Sequence, residues 1–565
     1  MAERRLAITI KGAVSLGAYE AGAIFETLRL IAYNNAQPGA TPWYIDALGG
    51  ASAGSITAAL LAAALVRGDT DVMQRTWVTG VSLDVLAPVD EQMSDDNILD
   101  ALSLDGLARA NITCPTIATP HGAMRPAPAS ISLRFTHSHL YPSILSADTL
   151  NSSKLFFSDY KDWADFSVGV VQSPVDPSKT DVNISCNGVA AAGYHNASPA
   201  LTGADAWSAL VQAAIASGSF PFAFAPRDLR KWVGGGWMDQ YFLDGGIYDN
   251  DPVGQTINIA HDIDWAPTPA AANYDDVDRR FLIIHTEPFD DSAREVTPNA
   301  TTTLDLNPLV LAEKLFPAIL EESETSGLRG IVTVNNQITE RTNFLQGIAN
   351  LIQGGGGASI PPAVLTALAN FRKLAGNIPF FRTNMIPDLA AAAPGLYAQL
   401  SGFAAGNQAS FVDLALAYDL ATNLADKTKV EPIVIAPDDA LSGSGLYAFG
   451  GFLVQRMRER DFAQGAYDAF EAWLNIAATQ QDFLINPDPN AAPPKPATAA
   501  DLLPQCQNEY ENGVDRLLQR VDRVIAALSS QASGGGFLGG AQALAMRTVL
   551  NAVANHYVRK AASGS

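Results

Sequence analysis

The chain is short of cysteine, of positive charge and of long hydrophobic runs, and each shortage excludes something. Its 565 residues include only three cysteines, Cys114, Cys186 and Cys506, far apart and in no metal-ligand spacing. Neither a disulfide framework nor a zinc site is on offer, which fits a reducing compartment. Lys and Arg number 36 against 58 Asp and Glu, a formal net charge of −22. A surface of that sign repels phosphate backbones and anionic bilayers, so no nucleic-acid partner is expected, and peripheral contact with a membrane should be apolar rather than electrostatic. The longest apolar run, Ile56 to Val66, falls short of the about 20 residues a spanning helix needs. The opening MAERRLAITIKG carries two arginines before an apolar stretch only a strand long, which is no secretory leader. The expected location is therefore the cytoplasm, unless export proceeds without a signal.

With 48% hydrophobic and 17% charged residues, the composition is that of a folded globular chain, long enough for two to four structural units. The beginning is α/β. Leu6 to Ile10 reads as a buried strand ended by a turn at Gly12, and helical spacing follows from Tyr19 through Ile24, Leu28 and Ile31. Tyr44 to Leu48 is a second strand, followed by the alanine-rich helix Ile56 to Val66. Strand, glycine turn and helix, twice over, is the pattern of a parallel sheet with crossover helices. Further strands are expected at SISLRFTHSHL, DFSVGVVQS and RRFLIIHTEPF (279–289), with a helix over 207–217 and a loop at SFPFAFAPRDL. Beyond about 300 helices dominate, interrupted by one strand candidate at 430–437 that would return the chain to the sheet.

Between the second strand and its helix stands Gly50-Ala51-Ser52-Ala53-Gly54, a G-x-S-x-G sequence in the strand-to-helix context of a nucleophile elbow. Small residues on both sides let strand and helix close up while the serine backbone is strained. The earlier turn, Lys11 to Tyr19, has glycines at 12 and 17 but Ala18 and Tyr19 where a phosphate loop needs Lys and Ser or Thr. It lacks the dinucleotide pattern as well. Its remaining role is an oxyanion hole of backbone amides at Gly12, Ala13 and Val14. Asp244, in YFLDGGIYDNDPV, follows an apolar run and precedes two glycines, which puts a carboxylate at the edge of the core. Asp-Gly is also an ordinary turn, and DNDPVG is no calcium loop, because Val253 and Ala260 fill ligand positions.

The glycine-rich turn, the G-x-S-x-G and the distant Asp244-Gly245-Gly246 with Asn250-x-Pro252, together with ASGSFPFAFAP, resemble the patatin-like phospholipase family over about residues 5–290. The resemblance implies a three-layer α/β/α fold with a mainly parallel central sheet, here followed by a mainly helical C-terminal region. It implies a Ser-Asp dyad without histidine, with Ser52 as nucleophile and Asp244 as base, cleaving fatty acyl esters of phospholipid or neutral lipid. No cofactor or metal is implied. The family's turn usually carries Lys or Arg before its last glycine; here Leu16 precedes Gly17, so the hole would be built of amides. The expected division is 1–290 for the catalytic domain, 291–428 for a helical insertion, and 429–565 for the return strand and C-terminal helices.

Two other readings stay open on the residues alone. An α/β-hydrolase triad could use His261 or His285 after Asp244, although His285 lies in an apolar strand. A non-catalytic scaffold could use the helical region beyond 300 to bind a partner, although the serine, aspartate and turn glycines are all intact. His137 and His139 stand two apart on one strand face, as two metal ligands would, with no third ligand evident.

Overall fold

A computed structural model describes residues 3–87, 97–113, 115, 117–148, 154–186, 201–221, 223–233, 236–264, 277–288, 323, 327–347, 422, 424, 429–444, 448–479 and 491–532. By its internal contacts the chain forms two units, one of Met1–Gly327 with Pro432–Ser565 and one of Leu328–Glu431.

The first unit is mixed α/β. Four parallel pairings join β10 (Ile433–Ile435), β9 (Val277–Ile284), β1 (Glu3–Ile10), β2 (Trp43–Gly50) and β3 (Ala129–Asp148), in that order. β1 and β2, at the centre of this array, are buried on both faces through most of their length, as a sheet covered on both sides requires. Helices α1 (Gly17–Ala36) and α2 (Ala53–Arg67) follow β1 and β2, while α3 (Ala101–Asn111) and α4 (Gly203–Ser217) come later in the chain. Alternate strand residues such as Leu6, Ile8 and Leu48 enter one core with α1, α2 and α4. The opposite face meets α5 (Val253–Asp264), where Thr9 Oγ1 donates to Thr256 Oγ1 at 2.8 Å and Gly49 leaves room for Thr256.

From β3 outward the sheet turns antiparallel, through β4 (Lys154–Gln172), β5 (Thr180–Cys186) and β6 (Leu201–Thr202). A side branch of β7 (Arg227–Val233) and β8 (Gly236–Leu243) pairs back onto β3. β3 and β4 run well past the expected strands. Their added residues are mostly exposed on both faces, so no alternation of apolar and polar residues marks them in the sequence. Helix α6 (Gln455–Thr479) lies along α1, with Trp473 packed edge-on against Trp43, and α7 (Gln507–Ala532) follows it. No helix among the described residues is long and apolar enough to cross a membrane.

In the second unit a helical stretch over 328–347 is tied to its own chain end, Asn335 Nδ2 donating to Val430 O and Val430 N to Asn335 Oδ1 at 2.7 and 3.0 Å. Much of the helical region expected beyond about 300, including 301–322 and 348–421, lies outside the described residues.

Candidate active site

β1, β2 and β9 end level with one another, Ile10 opposite Gly50 and Ile284, and that carboxyl edge of a parallel sheet is where α/β proteins place ligands. Ser52 occupies the turn from β2 into α2 at φ 50° and ψ −126°, a backbone state that costs on the order of 1–3 kcal/mol and persists only where its surroundings enforce it. The surroundings are tight. A β-carbon on Gly54 would come within 2.3 Å of Ile10 O, and one on Gly50 within 2.6 Å of Gly54 O. Strand and helix therefore pass so closely that only glycine fits on either side of the serine.

Asp244 follows β8 and is fully buried. Its Oδ2 accepts the Ser52 hydroxyl at 2.6 Å and its Oδ1 accepts Gly246 N at 2.7 Å. Burial pushes its carboxyl up to about 7, against the lowering pull of those two donors. One short segment fixes both groups. Ser217 Oγ accepts Ser52 N at 2.9 Å and pairs with Ser55 Oγ at 2.7 Å. Ser217 O accepts Gly245 N at 2.9 Å, and Ser219 O accepts Asp244 N at 3.0 Å.

The first glycine turn faces the same place. A β-carbon on Gly12 would meet Ser52 Cβ at 2.9 Å and Asn250 Oδ1 at 2.0 Å. Gly12 N donates to Asn250 O at 3.0 Å, which narrows the expected amide set. Of the amides expected at Gly12, Ala13 and Val14, this leaves those of Ala13 and Val14. Val14 has φ 50° like Ser52, an outlier for a β-branched residue. Val14 and Ser52 line one narrow apolar cavity of about 40 Å³ with Ile56, Trp77, Leu104, Phe220 and Phe452. Trp77 reaches it from a π-helical turn over Arg75–Gly80, an irregularity found often at functional sites.

Residues 8–257 match the family model described as patatin-like phospholipase. The chain carries a patatin-like phospholipase domain. At the level of that family it is an enzyme acting on lipid esters. No curated protein sequence matches the chain. Among solved structures, VipD from Legionella pneumophila aligns over 97% of this chain and 90% of its own, at 11% identity and a TM-score of 0.21.

Part of the site wall comes from outside the matched segment. Ser15 Oγ, in the turn of the patatin-like domain, donates to Ala448 O and accepts Gly451 N at 3.0 Å. Arg458 of α6 is buried and donates to Val78 O at 2.9 Å and to Gly451 O and Phe452 O at 2.6 and 3.3 Å. Phe452 is thereby fixed in the cavity wall some 400 residues after the serine it faces, a link with no sequence signal. Ser217 was legible only as part of ASGSFPFAFAP.

Three of the described histidines have partners other than Ser52 and Asp244. His285 Nε2 lies 3.3 Å from Lys11 Nζ and its Nδ1 3.0 Å from Glu287 O. His137 Nε2 contacts Ala213 O at 2.8 Å, and burial lowers this ring to about 4, so it is neutral at pH 7. His139 Nε2 pairs with Asp162 Oδ2 at 3.0 Å, beside Lys231. Among the described residues no group of three His, Cys, Asp or Glu is set to hold a metal ion.

Proposed function

We propose that the chain hydrolyses fatty acyl esters, of phospholipid or neutral lipid, through a Ser52–Asp244 dyad and an acyl-enzyme. The observation that carries this reading is the direct 2.6 Å hydrogen bond from Ser52 Oγ to Asp244 Oδ2, made in a fully buried setting. Asp244 takes the hydroxyl proton as Ser52 Oγ attacks the ester carbonyl. The oxyanion is held by the Ala13 and Val14 amides, with Gly12 serving as the close-packed floor tied to Asn250. Collapse expels the alcohol with the proton returned from Asp244, and water then repeats the sequence on the acyl-enzyme. A base with a pKa near 7 suits this exchange, because at neutral pH it is about half ionised, able both to take a proton and to return it. The apolar walls from Val14 to Phe452 would receive the first methylenes of the acyl chain. Within this reading, 291–428 is a helical insertion between β9 and β10, and 429–565 returns the chain to the sheet.

The test is fatty-acid release from mixed micelles of phospholipid and neutral lipid. Ser52→Ala should lower kcat by at least about 10³-fold and Asp244→Asn by about 10²–10⁴-fold, with His285→Ala near wild type. Loss with a folded His285→Ala protein would replace the dyad by a triad. No release by the wild-type chain would favour a scaffold.

A further inference from the structure

The outer halves of β3 and β4 form a hairpin that stands clear of the core. Beyond the register break between Ser138 and Ser143, pairing continues from Ser143↔Asp159 through Leu145↔Phe157 and Ala147↔Leu155 to Asp148↔Lys154. An isolated two-stranded ribbon of this kind is marginal in water, and its exposed side chains should be polar. Here they are not. Ile144 is 55% exposed, Leu155 60% and Phe156 64%, with Phe157 at 47%. Cross-strand pairing puts Leu145, Ala147, Leu155 and Phe157 on one face and Ile144 and Phe156 on the other. Large apolar side chains exposed on both faces of one ribbon mark an interaction site.

Three observations point to what covers it. The first is direction. β3 is parallel to β2, with Phe135 opposite Gly50, so its continuation to Asp148 leaves the sheet past the same edge that carries Ser52. At about 3.3 Å per residue the paired outer segment, Ser143–Asp148, spans on the order of 20 Å. The second is charge. Between Leu140 and Lys161 the sequence holds two aspartates and two lysines, on a chain of net charge −22. The hairpin is therefore a neutral projection on an acidic molecule, complementary to an uncharged or zwitterionic surface and not to an anionic one. The third is the order of side chains. Tyr141 meets Tyr241 edge-on at 6.5 Å and Tyr160 stacks on Tyr248 at 5.6 Å, near the hairpin's base, while Leu155, Phe156 and Phe157 lie further out. Tyrosine at the wet boundary with Phe, Leu and Ile beyond it is the arrangement of side chains entering a lipid interface.

We infer that this hairpin docks the protein on a zwitterionic lipid surface, with Ile144, Leu155, Phe156 and Phe157 entering the acyl boundary and the catalytic edge turned toward the bilayer. Docking itself is independent of the hydrolase reading; only its purpose, delivery of an acyl ester to Ser52, rests on it.

The test is co-sedimentation of the full chain carrying Ser52→Ala with phosphatidylcholine vesicles, so that no lipid is consumed. The lipid concentration for half-maximal binding should rise at least tenfold in Leu155→Ser/Phe156→Ser/Phe157→Ser and be unmoved by added salt. Ser146→Trp, on the same exposed ribbon, should lower it at least twofold, a gain that a misfolded chain does not give. Equal binding by the triple and parent chains, or no binding by the parent, overturns the proposal. So does a parent chain that is dimeric in solution and becomes monomeric in the triple variant, since a second copy would then be the occupant. Vesicle binding without ester hydrolysis by the wild-type chain upholds the hairpin and overturns the hydrolase; hydrolysis of a soluble short-chain ester without vesicle binding does the reverse.

Discussion

Ser52 and Asp244 are 192 residues apart and meet at 2.6 Å because Ser217 and Ser219 bind the backbone of both. Ser217→Ala removes the acceptor of Ser52 N inside a dry site, and an orphaned buried donor costs about 1–3 kcal/mol. The expected outcome is a fall in kcat of about 10-fold or more with KM little changed, alongside a lower thermal midpoint. Asp244 gives a second prediction whose two readouts move in opposite directions. Its carboxyl is raised to about 7 by burial, so the native state holds a proton that the unfolded chain releases near 4. Its contribution to stability is therefore full below about 4 and is lost as pH rises toward 7. Asp244→Asn should lower kcat by about 10²–10⁴-fold and yet raise the melting temperature at pH 8 by about 2 °C or more, while leaving it little changed at pH 4. In the wild type kcat should climb with pH and level off above about 7, as the base ionises. A flat profile between pH 5 and 8 would remove Asp244 as the base.

Among elements, α6 does more than cover the sheet. Arg458 is a buried cation whose guanidinium is spent on the carbonyls of Val78, Gly451 and Phe452. Burial lowers its pKa to about 10, which still leaves it charged at pH 7. Arg458→Ala strands these carbonyls and loosens the segment that Ser15 grips. It should lower stability by about 3 kcal/mol or more, measured by denaturant unfolding, and lower kcat/KM on long-chain esters more than on short ones, because Phe452 lines the cavity. Legibility differs sharply between elements. β1, β2 and α2 announce themselves through LAITI, the G-x-S-x-G and the alanine run, since each is buried along most of its length and built there mainly of apolar or small residues. The outer hairpin gives no such signal: both of its faces see solvent, and Phe156 and Phe157 side by side break the period of two.

At the scale of the whole molecule, buried acids set the pH response. Burial raises Glu20 to about 8, Asp249 to about 6 and Asp468 to about 6, the last also lifted by Asp438. Glu20 accepts a 3.0 Å hydrogen bond from Thr57 and feels Lys11, both of which pull it down without cancelling the burial. All three raise stability below about 4 and lose that contribution as pH climbs to 6–8, while the net charge of −22 adds self-repulsion over the same range. Calorimetry should find a higher unfolding temperature at pH 5 than at pH 8. Glu20→Gln should narrow the gap by raising the midpoint at pH 8.

The sequence by itself determined what is local. It set the two strand–turn–helix units, the serine flanked by glycines, and an aspartate after the apolar Tyr-Phe-Leu, because backbone geometry and burial act through neighbours in the chain. The tertiary structure alone decided what depends on distant segments meeting. It brings Ser217 to Ser52 and Ser219 to Asp244, turns Gly12 N toward Asn250 and sets Phe452 into the cavity wall. It also carries β3 past the catalytic edge as an exposed apolar hairpin. None of these leaves a periodic trace, since a side chain's partner across a sheet or from another helix is fixed by the packing of the whole and not by its own neighbours.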